Sequence, residues 1–138
     1  MPDRYGDLIR AGYEAWNAGD RSWVLEHLSP EVEWVTPPDD PDQGHYHGHE
    51  EVIGFWDGWR AAVGQLEFEI QELIESLPHV LVITKRSGTG AHSGLSVSDA
   101  VCQVFTFDGD ICVKVQEFYD RAAAMRAAGV DVKAGEAG

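Results

Sequence analysis

The chain is short of positive charge. Lys and Arg total 10 of its 138 residues against 24 Asp and Glu, which gives a formal net charge of −14 at pH 7. A surface of this sign repels the phosphates of nucleic acids and anionic lipid headgroups, so neither nucleic acid nor a membrane is expected as a partner. The sequence has no apolar run near the ~20 residues that span a bilayer, and its opening, MPDRYGDLIR, has no apolar signal core. We therefore expect a cytoplasmic protein.

Motifs that bind cofactors or metals are also missing. The sequence contains no glycine-rich phosphate loop, nucleophile elbow or paired-cysteine zinc signature, so we expect no cofactor. Its two cysteines, Cys102 and Cys112, lie in apolar, β-prone stretches. In that context a small buried thiol is commoner than a disulfide or a nucleophile, and we predict that both residues serve packing in a reduced state.

The first half of the chain has mainly helical periodicity. Apolar residues recur at steps of three and four in residues 3–18 and 49–63, which predicts two amphipathic helices. A short helix, RSWVLEHL, and a strand, VEWVT, lie between them. Residues 37–47 contain three prolines and are predicted to form a polar loop.

The second half is strand-like. Four segments alternate or are rich in β-branched residues, and an alanine-rich helix follows them: LEFEIQELIES, PHVLVITKRSG, GLSVSDAVCQVFTF, DICVKVQEFYD and then DRAAAMRAAGV. Such segments predict an antiparallel meander. A chain of this length fits one domain, so we predict a single α+β domain over residues 1–130, with a curved sheet around the N-terminal helices and a loose tail at 131–138.

This organisation resembles a known family. The segments that carry the resemblance, in order and spacing, are YEAWNAGD, LSPEVEWVTP, YHGHEEVIGFW and VFTFDGDICVKVQEFYDRAAAM. Together they are similar to the SnoaL-like branch of the nuclear transport factor two-like superfamily, over residues 5–129. The resemblance implies a cone-shaped α+β barrel with an apolar pocket, often a homodimer formed through the sheet. It implies no single reaction, because the fold hosts several chemistries.

Two chemistries of the superfamily fit incompletely. Steroid isomerases use a tyrosine and two aspartates, and the NAGD motif places these positions on Gly12, Thr36 and Gln103, none of which can do the original job. Gln103 can still donate a hydrogen bond to a carbonyl. The resemblance therefore argues against that isomerase mechanism.

Limonene-epoxide-hydrolase-like enzymes use two acids and an arginine to activate water. The resemblance places the arginine on Arg86 and one acid on Glu117, whereas the second acid falls on Gly88 and the water-holding positions on Trp34 and Thr36. Half of that set is present, which leaves epoxide opening as an alternative.

SnoaL-like cyclases need only an acid/base in a pocket that shapes and polarises the substrate. Glu117 is the candidate, because Ile111, Val113, Val115 and Tyr119 share its strand parity and are apolar or aromatic. Burial there raises the pKa of a carboxyl group unless Arg86 pairs with it and holds it ionised. If that ion pair forms, Glu117 is instead a structural anchor.

Asp99 is a second acidic candidate. It lies on the same predicted strand as Val101 and Gln103, and it shares their parity. The face on which these residues lie depends on the connection to the next strand. A solvated aspartate at the strand end is the favoured interpretation.

The remaining predicted ligand contacts follow from shared strand faces and helical spacing. With Glu117 and Arg86 as candidate catalytic residues, the predicted ligand-binding residues are Trp16, Trp34, Thr36, Phe55, Trp59, Val101, Gln103, Val115, Tyr119 and His47. Aromatic residues at these spacings are also typical of an ordinary core.

The histidine-rich segment GHYHGHEE suggests a metal site at first. However, the resemblance begins a helix at Gly48, which places His49 in its first turn and away from His45 and His47. Glu50 and Glu51 then oppose the positive end of the helix dipole. We predict no metal, with His45 to His47 on a loop at the pocket mouth.

The sequence thus predicts a protein that binds a small, largely apolar molecule, with polyketide and terpenoid compounds as candidates. Cofactor-independent acid/base chemistry by Glu117, of the aldol-cyclisation or isomerisation type, is the leading hypothesis. A non-catalytic binding or dimerisation module is the alternative, together with incomplete epoxide-hydrolase-like chemistry.

Overall fold

The structure, a computed structural model, describes residues 4–38, 44–62, 67–89 and 96–130. The predicted tail at 131–138 lies outside these ranges. In chain order the elements are α1 (Arg4–Ala18), α2 (Ser22–His27), β1 (Leu28–Val35), β2 (His45–His47), α3 (Gly48–Ala62), β3 (Glu67–Ser76), β4 (His79–Thr89), β5 (Ser96–Asp108), β6 (Ile111–Phe118) and α4 (Arg121–Ala127). The predicted α+β class and the order of helices and strands are confirmed.

One mixed sheet contains the six described strands, in the order β2-β1-β6-β5-β4-β3. The predicted meander is confirmed, because β3, β4, β5 and β6 pair antiparallel in sequence. The long connection between the halves lets β1 pair in parallel with β6. Among the described strands β2 and β3 are the two edges, so the cone is an open sheet rather than a closed barrel. None of the described helices has the length and apolar character needed to cross a membrane.

The prediction of a loop over all of residues 37–47 is wrong at its end. His45–His47 forms the short edge strand β2, which pairs antiparallel with β1 through Val35 opposite His45 and Glu33 opposite His47. The free backbone edge of β1 supplies the pairing groups, so these three residues need no apolar side chains to become a strand. The helix start at Gly48, which has φ +84°, is confirmed.

Register shifts interrupt the regular alternation of the sheet. On β6, Lys114 pairs with Thr106 whereas Cys112 pairs with Phe107, so Val113 is the extra residue of a bulge. The parity predicted from Glu117 therefore does not extend to the start of the strand. Cys112 is buried and Ile111 is exposed, the reverse of a strict alternation.

The two sheet faces have different partners. The larger core cluster joins residues of α1, α2 and α3 to one face, and it includes Tyr13, Trp16, Trp56 and Phe105. A smaller cluster places α4 on side chains that share the other parity, among them Leu81 and Val104. The cavity described next lies on the side of the sheet that faces α1 and α3.

Candidate functional site

A cavity opens between α1, α3 and the sheet. Its empty volume, counted with the space open to solvent, is about 540 Å³. The lining residues are Ile9, Gly12, Tyr13, Trp16, Trp23, Trp34, Phe55, Trp56, Trp59, Phe68, Arg86, Gln103, Phe105 and Glu117. Apolar and aromatic side chains dominate the wall, with a few polar groups among them, which is the usual character of a small-molecule site.

The aromatic walls are packed edge to face. The ring centroids of Trp16 and Trp56 lie 4.8 Å apart with an interplanar angle of 80°. Trp34 meets Trp56 at 6.0 Å and 83°, and Phe68 meets Trp16 at 5.5 Å and 88°. Tilted pairs of this kind are the favoured arrangement of aromatic side chains, so the rings hold one another in place around the cavity.

Close packing explains Gly12, where the resemblance had placed the isomerase tyrosine. A Cβ atom there would lie 2.7 Å from the indole ring of Trp23, which occupies that space. The Nε1 of Trp23 donates a hydrogen bond of 3.1 Å to the carbonyl oxygen of Leu8. The phenol of the cavity comes instead from the next residue, Tyr13.

A buried hydrogen-bonded chain crosses the cavity wall from helix to sheet. The hydroxyl of Tyr13 donates to Oε1 of Gln103, and Nε2 of Gln103 donates to Oε2 of Glu117 at 2.7 Å. An amide oxygen only accepts and an amide nitrogen only donates, so both bonds run toward the carboxylate. The β5–β6 register, which places Gln103 opposite Glu117, makes the second bond possible.

Burial, followed by the nearby charge of Glu117, raises the pKa of Tyr13 well above its ordinary value. The phenol therefore stays protonated in the neutral range and remains a donor. Glu117 and Gln103 are 6% and 3% exposed, so water has little access to either side chain.

Arg86 pairs with Asp99 on the neighbouring strand. Its Nε and Nη2 donate to the two carboxylate oxygens at 2.9 and 2.6 Å, a bidentate arrangement. The guanidinium also lies 4.8 Å from the ring centroid of Trp59. Burial opposes its charge, but the bonds with Asp99 and Tyr119 outweigh that effect and raise the pKa of Arg86. Asp99, interpreted from the sequence as a solvated aspartate, keeps a side chain that is 38% exposed, and the β4–β5 register also aligns it with Arg86.

The structure brings seven of the predicted site residues to the cavity wall: Trp16, Trp34, Phe55, Trp59, Arg86, Gln103 and Glu117. They come from six different elements, α1, β1, α3, β4, β5 and β6. Glu117 lies on the face inferred from its strand parity, and Gln103, whose face the sequence left open, lines the same cavity.

Five predicted ligand contacts do not lie on this wall. Thr36 is buried but its Oγ1 accepts from the backbone nitrogen of Gly44 at 2.6 Å, so it fastens the strand end. Val101 and Val115 are fully buried on their strands. Tyr119 is 38% exposed, with its ring 6.0 Å from the Arg86 guanidinium.

His47, the fifth, lies on the exposed edge strand beside Glu31, with 3.1 Å between Nε2 and Oε2. His45 approaches Glu33, and His49 contacts the carbonyl oxygen of Leu28 at 2.7 Å. The three imidazoles therefore have separate partners. Within the described ranges no group of three or more His, Cys, Asp or Glu side chains is arranged to hold a metal ion.

Besides Gly12, six lining residues were not among the predicted ligand contacts: Ile9, Tyr13, Trp23, Trp56, Phe68 and Phe105. Each sits in a regular apolar pattern that also describes an ordinary core. The signal for Tyr13 was its hydroxyl, because a buried phenol on a helix needs a hydrogen-bond partner. The alignment through NAGD, which gave Gly12, missed it by one residue.

Several solved structures resemble this fold. An NTF2-like protein of unknown function from Burkholderia pseudomallei is 28% identical, with a TM-score of 0.76 over 91% of this chain and 97% of that one. TerC, co-crystallized with polyporic acid, is 20% identical, with a TM-score of 0.75 over 92% and 99%. A putative SnoaL-like polyketide cyclase from Jannaschia sp. CCS1 is 16% identical, with a TM-score of 0.75 over 93% of each chain.

No curated protein matches the chain. The family of SnoaL-like domains, in contrast, matches residues 9–115, which include most of α1, all of α2 and α3, and nearly all of the sheet. The chain belongs to the SnoaL-like domain family.

Proposed function

We propose that the protein binds a small, largely apolar molecule in the aromatic cavity and that Glu117 acts on it as a cofactor-independent acid/base. The reaction type is removal and return of a proton next to a carbonyl group, as in an aldol cyclisation or an isomerisation. One observation carries the proposal, namely a buried carboxylate, hydrogen-bonded to Gln103, at the wall of a cavity made of aromatic rings.

The aromatic wall supports binding of an apolar ligand. Burial of apolar surface favours association by roughly 25 cal/mol per Å², and flat rings such as those of Trp16, Trp56 and Phe68 present large surfaces to a flat ligand. Two relatives have names consistent with this proposal, the protein co-crystallized with polyporic acid and the putative polyketide cyclase.

The polar chain supports a chemical role for Glu117. A carboxylate that accepts a proton from carbon needs a fixed position close to the substrate. Gln103 supplies that position, and Tyr13 holds the amide so that its nitrogen faces the carboxylate. Arg86, on the same wall, brings a positive charge toward the negative charge that develops on an enolate.

Deuterium exchange tests this proposal without knowledge of the natural substrate. In D2O, a bound cyclic ketone such as 1-tetralone should lose the NMR signal of the protons next to its carbonyl faster with the protein than without it. Glu117 takes the proton from carbon, exchanges it with D2O at the open side of the cavity, and returns a deuteron to the same carbon. We expect Glu117→Gln to lower the catalysed exchange by at least about 100-fold.

The matched control is Glu14→Gln, which changes an exposed glutamate on α1. It should exchange the ketone at the wild-type rate. Exchange that is equally fast in Glu117→Gln would contradict the acid/base role. Binding without catalysed exchange would identify the alternative, a non-catalytic ligand-binding module.

Arg86 and its partner favour epoxide opening as a second candidate function. Asp99 supplies an acid next to Arg86, where the resemblance had placed that acid on Gly88. Arg86 and Glu117 line the cavity, and Asp99 is bonded to Arg86 behind that wall without lining the cavity itself. Two carboxylates and one guanidinium are the residue types that activate water in such enzymes. Incubation with styrene oxide in H2(18)O distinguishes the two candidates. A labelled diol that is lost in both Asp99→Asn and Glu117→Gln supports epoxide chemistry, and its absence favours the carbonyl chemistry.

A further inference from the structure

Two indole groups of the cavity wall have no hydrogen-bond partner. In the described part of the chain, Nε1 of Trp34 and Nε1 of Trp56 are the buried side-chain polar atoms without one. Both side chains are 5% exposed, both line the cavity, and their ring centroids lie 6.0 Å apart.

Buried indole N–H groups ordinarily bond to the protein, because a donor removed from water without a partner is destabilising. Trp23, on the same wall, follows that rule, since its Nε1 donates to Leu8. Two unpaired donors in one cavity therefore point to a partner from outside the chain. Both nitrogens are closed to water in the free cavity, so a ligand oxygen meets them when the rings of the wall adjust around the ligand.

We propose that the indole N–H groups of Trp34 and Trp56 bind the oxygen of a neutral carbonyl ligand and so determine which compounds the cavity accepts. This inference rests on the proposed function and deepens it. Indole nitrogen only donates, so the bound group must be an acceptor, which rules out an ammonium group or a plain hydrocarbon as the group held. Glu117 on the same wall repels an anionic acceptor such as a carboxylate, and the positive charge of Arg86 is largely offset by its bidentate bonds to Asp99. A ketone, ester or quinone oxygen, which is neutral and has two lone pairs, meets both conditions.

The register of the sheet places one of these donors, that of Trp34, near the candidate base. Trp34 is the neighbour of Val115 across the parallel β1–β6 pair, and Glu117 follows two residues later. Residues two apart on a strand share a face, and here both Val115 and Glu117 are buried. A carbonyl oxygen held by Trp34 therefore presents the adjacent carbon toward the carboxylate.

Indole resonances in a proton–nitrogen NMR spectrum report this binding directly. The chain has five tryptophans, and the signals of Trp34 and Trp56 are assigned from the Trp34→Phe and Trp56→Phe variants. The wild-type protein is titrated with 1-tetralone and, separately, with tetralin, which has the same bicyclic frame without the oxygen. We expect the ketone to move the signals of Trp34 and Trp56 downfield, as hydrogen bonding does, and tetralin to leave them without that shift.

Affinities for the same two compounds supply a second readout. A buried donor left unpaired penalises the ligand that lacks the acceptor, so wild type should bind 1-tetralone at least about tenfold more tightly than tetralin. Trp34→Phe and Trp56→Phe should each reduce that ratio. The matched control, Trp23→Phe, removes an indole of the same wall whose N–H already has a partner, and it should keep the ratio.

The outcomes separate this inference from the function on which it rests. If the ketone shifts other cavity resonances but not the indole N–H signals of Trp34 and Trp56, the inference is overturned and the proposed binding function stands. An equal affinity of the wild-type protein for 1-tetralone and tetralin would also overturn the inference and leave the proposed binding function standing. If neither compound shifts any cavity resonance, the proposed function fails and this inference fails with it.

Discussion

Nε2 of Gln103 lies 2.7 Å from Oε2 of Glu117, and the two side chains are almost completely buried. Neighbouring strands β5 and β6 place them opposite each other, and Tyr13 on α1 holds the far end of the amide. The candidate base is therefore fixed by bonds that span the helix and the sheet. The contributions of these bonds and of the surrounding packing to the free energy of unfolding can be measured.

Gln103→Leu should lower the free energy of unfolding by about 1–3 kcal/mol, because it removes the partner of two buried polar groups and keeps a similar volume. Urea denaturation measures the change. The control is Gln116→Leu, on the neighbouring strand β6 and of opposite parity to Glu117, and it should cost less than about 0.5 kcal/mol. Equal effects of the two substitutions would show that the buried bonds contribute nothing.

Asp99→Asn should lower the free energy of unfolding by about 1 kcal/mol, because it leaves the buried Arg86 guanidinium with a neutral partner. The effect is limited because the Asp99 side chain is 38% exposed and solvent screens the pair. The control is Asp57→Asn, whose partner Arg21 is exposed and 3.4 Å away, with an expected change below about 0.5 kcal/mol. A larger loss in the control than in Asp99→Asn would refute the ranking of the two ion pairs.

Gly12→Ala should destabilise the protein by roughly 1–3 kcal/mol, because the new Cβ would lie 2.7 Å from the ring of Trp23. The matched substitution Gly58→Ala, in the α3 helix, meets no atom within 4 Å and should stabilise by about 0.5–1 kcal/mol. Thermal unfolding of both variants shows whether each substitution lowers or raises the stability of the protein. A neutral Gly12→Ala would mean that Trp23 can move away from the cavity wall.

Stability should fall at alkaline pH because of Cys112. Burial raises the pKa of its thiol to about 12 from an ordinary value of 9.0. Between these two pH values the unfolded chain loses the proton whereas the folded chain keeps it, so the unfolded state is favoured progressively. The contribution is complete below pH 9.0 and is lost toward pH 12.

Urea denaturation at several pH values from 8 upward measures this slope, and Cys112→Ala should make it less steep. The buried phenol of Tyr13, whose pKa is also raised, adds to the slope in both proteins. An unchanged slope in Cys112→Ala would show that the thiol ionises equally in both states.

Periodicity was sufficient to predict most of the fold. The helical spacing of residues 3–18 and the alternation of the last four strands depend on burial of one face, which the sequence displays directly. The edge strand His45–His47 has no such signature, because its pairing depends on the free edge of β1. The bulge at Val113 also escaped prediction, since alternation in one strand does not reveal the register with its neighbour.

The site was predictable only in part, for the same reason. Parity and family resemblance together indicated Glu117, Gln103 and Arg86, and all three line the cavity. The partner of Arg86 depends on the β4–β5 register, which places Asp99 opposite it and which no local pattern specifies. Tyr13 belongs to an apolar helix stripe that is typical of an ordinary core. Its contact with Gln103 spans 90 positions of the chain.

A crystal structure of the protein soaked with 1-tetralone tests the central claim most directly, that the aromatic cavity binds a carbonyl compound with its reactive carbon at Glu117. We predict density for the two rings in the cavity, packed against Trp16 and Trp56, with the carbon next to the carbonyl facing the Glu117 carboxylate. Tetralin, which lacks the carbonyl oxygen, is the control compound and should not adopt this one orientation. A cavity without ketone at saturating concentration, or a ketone whose carbonyl faces solvent away from Glu117, would contradict the account.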